Sequence, residues 1–411
     1  MGYMDRKRCE ALLGAERIDA LVIVQPENFR YATCAHPGFL SSWRRAGTQA
    51  ALVPGPADRP LAVVVADALG GAFRHLGDGN VRTHPAWIDF HQFGQAPEDA
   101  PVVERIRDAR GPSPARPATY DLDQALEALR ELLAERGLDK ARIGIELDFI
   151  PVNDLVAFKN ALPAVEFVDS SLILKQLQLI KSEEEISLLK RAAEITETGL
   201  TNTAKAARPG LCARDLSLIF QTAILAEVER RGVTDFESSW AAFCCGPNVR
   251  GTGNSSDPLQ AGHAIKLDCG CSIAGYISDV ARTYFLGRAS RAQKELYKIV
   301  LDAWMAGFEQ FVPGNPVSRI YSSVEAAIHG TGFTGFRRGH YGHSIGASVW
   351  NEEWPYISEN EHTRLEKGMV FAFEVPFYLD GLGSFTIEDH VVVTANGAYS
   401  MNALGKELRE L

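Results

Sequence analysis

No run in the sequence approaches the roughly eighteen consecutive apolar residues that a membrane-spanning helix needs. The opening stretch, MGYMDRKRCEALLGAERIDALVIV, carries basic residues without a long apolar segment behind them, which argues against a secretory signal. Positive charge is also scarce. The formal net charge is -10, so no basic stripe is available to neutralise the phosphates of a nucleic acid. The seven cysteines are odd in number and scattered. Cys269 and Cys271 form a C-x-C, but no second pair stands at zinc spacing, and they read as small buried apolar residues. A chain of 411 residues does not need disulfide staples, so a reducing compartment, the cytoplasm, is expected.

What is present suggests two domains, since 411 residues exceed one compact core. Residues 1–170 alternate helical and strand patterns. Asp5 to Glu16 reads as a helix. Ala20–Val24, Ala50–Val53, Leu61–Val65 and Ile143–Leu147 read as strands, and Asp121 caps a helix reaching about Arg136. That alternation predicts an α/β domain. Residues 96–119, rich in proline and charge, read as an exposed connection. From 171 the layout changes to two helices followed by strand-like segments, and that order then recurs. The first helix opens with a capping box, Ser182 and Glu185, and the second ends at Gly232. The second pair runs from about Ser290 to Phe311 and from Ser318 to His329. An α+β unit duplicated about a pseudo-twofold axis is expected, with each half able to supply ligands to one site.

The chemistry concentrates in two acidic hairpins and a glycine-rich turn. In KLDCGCSIAGYISDVARTYFLG, Asp268 and Asp279 lie eleven residues apart about a midpoint at Ile273 and Ala274. A hairpin reversing there sets the two carboxylates directly opposite. Either they face solvent on an edge, or a bound cation offsets the cost of burying them together. In GMVFAFEVPFYLDGLGSFTIEDHVVVT, Glu374 alternates with Phe371 and Phe373, and a turn over Asp380–Gly383 returns the chain to Glu388. The stretch RRGHYGHSIGASVWNEEWP adds His343. Four carboxylates and one imidazole suit two divalent metal ions, Mn²⁺ first, with Fe²⁺, Co²⁺ or Zn²⁺ as alternatives. Such a pair acidifies bound water and polarises a substrate carbonyl.

Asp268, Asp279, His343, Glu374 and Glu388, in that order, resemble the metal ligands of the pita-bread superfamily. That group includes Xaa-Pro aminopeptidase, prolidase, creatinase, ectoine hydrolase and one class of dimethylsulfoniopropionate lyase. LDCGCSIAGYISDVARTYFLG, GHSIG, KGMVFAFEVPFY and FTIEDHVVVT carry the resemblance, and VDSSLILKQLQLIKSEEEISLLKRAA looks like the usual junction between domains. It implies an N-terminal creatinase-like α/β domain, 1–170, and a C-terminal pita-bread α+β catalytic domain, 171–411. It also implies a dinuclear hydrolase in which Glu374 shuttles a proton.

The auxiliary histidines of the peptidase members are depleted. Trp350 stands seven residues after His343 where they carry one, Gly253 falls at a second such place, and Gly339 at a third. His340, one residue away, either substitutes or lies on the surface. Three readings stay open: an Xaa-Pro-like peptidase, a hydrolase of a small carboxylate-bearing amide such as an ectoine-like compound, and a lyase. NEEWP resembles the DEWP of the lyases, which makes Glu352 a candidate base beside Glu353; a solvated turn is the alternative for both. A non-catalytic scaffold is the option outside enzymology. GFLSSWRRAG resembles the creatinase segment whose arginine enters the partner subunit's site. By that resemblance Arg44 clamps a substrate carboxylate, Trp43 walls the pocket, and the protein is a homodimer; otherwise these are surface loop residues.

Overall fold

The computed structural model describes residues 2–77, 79–88, 99–110, 115–248, 256–348 and 350–411. The chain divides into two compact units, Met1–Leu177 and Gln178–Leu411.

In the first unit the apolar runs become a mixed six-stranded sheet. Its order is Val81–His84, Ala62–Ala66, Gln49–Pro54, Ala20–Ile23, Arg142–Ile145, Glu166–Asp169. The three strands Gln49–Pro54, Ala20–Ile23 and Ala62–Ala66 are buried throughout, as continuous apolar runs require. Helix Arg6–Glu16 starts where Asp5 accepts from the N–H groups of Lys7 and Arg8, and helix Leu122–Glu135 starts at Asp121 in the same way. The connection expected over 96–119 contains a helix, Val102–Arg110. Pro101 starts it, its carbonyl accepting from the N–H groups of Glu104 and Arg105. Val102 and Val103 are exposed, so burial does not drive this helix, and its short apolar set, Val102, Val103 and Ile106, is masked in the sequence by the prolines and charges around it.

The second unit repeats one layout. Helices Glu183–Ala206 and Ala213–Arg231 precede a run of strands, and helices Arg291–Phe308 and Ser318–His329 precede another. The Ser182–Glu185 capping box is formed, and the second helix stops at Gly232, whose φ is 63°. The strands build one curled, mainly antiparallel sheet, eleven-stranded among the described residues, which Arg409–Glu410 joins in parallel. Its central order is Ala264–Ile273, Val280–Phe285, Ile387–Thr394, Val370–Glu374, Gly342–Ser344, Glu353–Tyr356. One face packs on the helices. Phe373 lies 5.3 Å from Trp304 and Phe371 5.7 Å from Phe311, centroid to centroid. Burying each such ring contributes about 1.5–3 kcal/mol. Ala372 and Glu374 therefore project from the opposite face.

Candidate metal centre

Strand register gathers the acidic residues on that second face. Asp268 pairs with Ala281, Ala281 with Glu388, and Glu388 with Glu374, one row across four adjacent strands. Asp279 stands two residues before Ala281. His343 pairs with Ala372, two residues before Glu374. Positions two apart share a face, so all five groups converge. The hairpin expected to reverse at Ile273–Ala274 turns instead at Ala274–Gly275, whose φ values are 49° and 84°. Two positive φ angles give the tight turn that matches strand twist. Tyr276 then pairs with Ile273, so Asp268 faces Ala281 and its relation to Asp279 is diagonal, not direct. Gly270 makes this crossing possible: a Cβ there would meet the Ser278 carbonyl oxygen at 1.8 Å.

Ligand atoms of Asp279, His343 and Glu388 all lie within 4.8 Å of one another, and all three residues are buried. Asp279 Oδ1 is buried without a hydrogen-bond partner. Burial pushes the Asp279 carboxyl up to about 7, with help from the Asp268 and Glu374 charges and against the pull of His343. Burial first, then Asp279, Glu374 and Asp268, drive Glu388 well above the carboxylate range. Such crowding is costly unless cations are shared. The orphaned oxygen and the oxygen-rich donor set with one imidazole fit a divalent metal ion. His343 is aimed for this. Its Nδ1 lies 2.9 Å from the Ser344 carbonyl oxygen and takes the donor role there, which turns Nε2 towards Asp279 Oδ2 at 3.6 Å, where a bound ion would take its lone pair.

Four supporting residues were not singled out from sequence. His390 accepts the Asp279 N–H at 2.8 Å, and burial lowers it to about 4, so it stays a neutral acceptor. Asn351 donates through Nδ2 to Asp279 Oδ2. Lys266 Nζ lies 2.7 Å from Asp268 Oδ2, and Arg338 Nη2 lies 2.9 Å from Glu374 Oε1. Lys266 and His390 stand two residues from a ligand in the same strand, so alternation could have found them. Arg338 and Asn351 sit in irregular segments with no period to read.

The remaining candidates divide. His340 is half-buried with its ring 6.4 Å from that of His343, and burial lowers its pKa against the pull of Glu374 and Glu352. Glu352 is exposed. Glu353 is drawn away by buried Lys181 at 3.3 Å, which also donates to Ser344 Oγ at 3.0 Å. Trp350 is 58% exposed and its ring lies 6.1 Å from that of Trp240. In the first unit, Trp43 is exposed against Trp87, and Arg44 forms a two-pronged pair with Glu27 at 2.8 and 3.3 Å. Gly253 lies outside the described residues.

The chain matches two family models, Metallopeptidase family M24 over residues 187–395 and the Creatinase/Prolidase N-terminal domain over 6–180. It is 30% identical to a creatinase of Bacillus sp. (strain B-0618) across 67% of this chain and 69% of that one. It is 28% identical to an Xaa-Pro dipeptidase of Pyrococcus furiosus across 61% and 71%. The solved structure of an Xaa-Pro dipeptidase from Bacillus anthracis superposes with a TM-score of 0.76 at 21% identity, covering 99% of each chain, so the two share the pita-bread fold and the creatinase-like N-terminal domain. With the candidate metal-binding group Asp279, His343 and Glu388 in a segment that the catalytic model spans, the chain belongs to metallopeptidase family M24 and is a metal-dependent hydrolase.

Proposed function

We propose that the protein hydrolyses a peptide or amide C–N bond in a small carboxylate-bearing molecule, an Xaa-Pro peptide or an ectoine-like amide, using two divalent metal ions, Mn²⁺ first. The observation that carries this is the single row Asp268–Ala281–Glu388–Glu374 with Asp279 and His343 beside it. The similarity to a creatinase and to an Xaa-Pro dipeptidase supports the substrate class. Bound divalent ions would supply Lewis-acid activation of water and of the scissile carbonyl. Asp268, Asp279, His343, Glu374 and Glu388 would hold them. Glu374 takes a proton and returns it to the leaving nitrogen, with Arg338 at 2.9 Å keeping the carboxylate oriented. His340, half-buried beside His343, is placed to donate to the developing oxyanion. Trp350 walls the entrance, with Glu353 fixing its loop through Lys181.

A homodimer in the cytoplasm is part of this reading. The exposed Trp43 and Trp87, packed with half-buried Phe39, support it; the Arg44 clamp that the resemblance implies would require Glu27 to release the guanidinium. The test is release of proline from Xaa-Pro dipeptides by protein reconstituted with Mn²⁺, alongside metal analysis. Near two ions per chain and chelator-sensitive cleavage are expected; inertness towards dipeptides and small cyclic amides alike would reject the reading. One alternative is a lyase in which the exposed Glu352, in the segment NEEWP, removes a proton α to a carboxylate. Dimethyl sulfide released from dimethylsulfoniopropionate, and lost in Glu352→Gln, would establish that instead.

A further inference from the structure

The carboxylate row contains two fixed cations, Lys266 and Arg338, whose donors are not used up by their carboxylate partners. Lys266 is 4% exposed, in the middle of strand Ala264–Ile273, and projects on the same face as Asp268. An ammonium at such a position is a poor packing choice, and burial opposes its charge. Arg338 approaches from the other side onto Glu374. Tyr378 joins them. Its ring centroid lies 5.2 Å from Lys266 Nζ and 5.9 Å from Arg338 Cζ, and its hydroxyl accepts from Lys266 at 3.3 Å. Tyr378 is 45% exposed, so this cationic corner opens to solvent.

Resting on the hydrolase reading above, we propose that Lys266 and Arg338, gathered around Tyr378, form the receptor for the substrate's carboxylate. Donor capacity supports this. Arg338 spends Nε on the His340 carbonyl at 2.9 Å and Nη2 on Glu374, and its Nη1 has no partner among the described residues. The Lys266 ammonium carries three donors and uses two, on Asp268 and Tyr378. Groups that only donate call for a ligand that only accepts, which a carboxylate is. Charge points the same way. Four carboxylates against these two cations leave a formal deficit of two. One divalent ion closes it, and a second carries the centre two units positive. Once Asp268 and Glu374 are committed to metal ions, Lys266 and Arg338 lose part of their neutralisation, and an anion restores it. Arg44 has no such vacancy, because Glu27 already meets it with both carboxylate oxygens.

Propionate and its neutral counterpart propionamide are the probes, titrated into the full-length protein loaded with Zn²⁺ and followed by ligand-observed NMR. Propionate is expected to bind at least about tenfold more tightly, the order of a charge-assisted pair. Lys266→Met and Arg338→Met should each erase most of that preference at unchanged zinc content. Lys266→Arg should keep it, which separates charge from folding. An undiminished preference in both methionine variants would put the anion on the metal ions alone and overturn the proposal. So would equal binding of the two probes to the wild-type protein, or loss of zinc from both variants. Failure of the hydrolase reading looks different: no amide is cleaved while the propionate preference stands.

Discussion

Deleting a metal ligand should make the metal-free protein more stable at alkaline pH. The perturbation is Asp279→Asn. The Asp279 carboxyl is raised from its ordinary 3.8 to about 7, chiefly by burial and further by the Asp268 and Glu374 charges, against the pull of His343. A folded-state value above the unfolded one means that the native protein holds a proton which the unfolded chain has released. Its stability is therefore highest at or below pH 4, declines as pH rises, and has lost its full share once pH passes about 7. At 1.36 kcal/mol per unit, roughly three units correspond to about 4 kcal/mol. Asparagine cannot ionise and escapes that loss, while its amide preserves the shape of the side chain. The two metal-free proteins should match near pH 4, and Asp279→Asn should be more stable by about 4 kcal/mol at pH 8. For a protein of this size that is a rise in Tm of about 5 °C. Urea unfolding of chelator-treated protein from pH 4 to 8 measures it directly. Added Mn²⁺ should reverse the order, because only the wild-type site gains from binding the ion in its folded state. A metal-free Asp279→Asn that is less stable than wild type at pH 8 would refute the argument that these carboxylates are assembled for cations at the expense of the fold.

Other consequences follow from single contacts. His343→Ala should lower metal content by at least one equivalent in elemental analysis and abolish the thermal shift caused by Mn²⁺. Gly270→Ala should cost at least about 3 kcal/mol in denaturant unfolding, since its Cβ would fall 1.8 Å from a backbone oxygen and 2.4 Å from Trp240 Nε1. Asp389→Ala should cost about 3–5 kcal/mol, because it strands Arg282, buried and paired with Asp389 at 2.6 Å, without a counter-charge. The same unfolding measurements read both, and a change below about 1 kcal/mol in either would contradict the packing described.

Most of the centre was legible because strand alternation is a strong rule. Phe371, Phe373 and Glu374 announce which face is apolar and which is not, and the Glu374–Glu388 pairing follows from the turn between them. The Asp268–Asp279 register was less legible. Its outcome depended on whether Ala274, a residue with a Cβ, would enter the left-handed region, and sequence alone favours glycine there. Ala274 does so because Gly275 and strand twist together favour the two-residue turn. The Val102–Arg110 helix was hidden because it is short: its apolar set, Val102, Val103 and Ile106, spans little more than one turn among prolines and charges.

The supporting shell marks a deeper limit. Lys266 stands in plain view two residues before Asp268, yet a lysine in a strand ordinarily reads as a solvent-facing residue at an edge. Only the pairing of Lys266 on both sides, with Thr283 of Val280–Phe285 and with Cys244 of Cys244–Cys245, makes it an interior residue with nowhere to send its charge except the carboxylate row. The same reasoning separates Arg338 from Arg44. Both are arginines beside an acid, but Glu374 is a carboxylate that a metal ion would claim, whereas Glu27, in helix Pro26–Thr33 of the other unit, has no such competitor. Which arginine can receive a substrate depends on what competes for its partner.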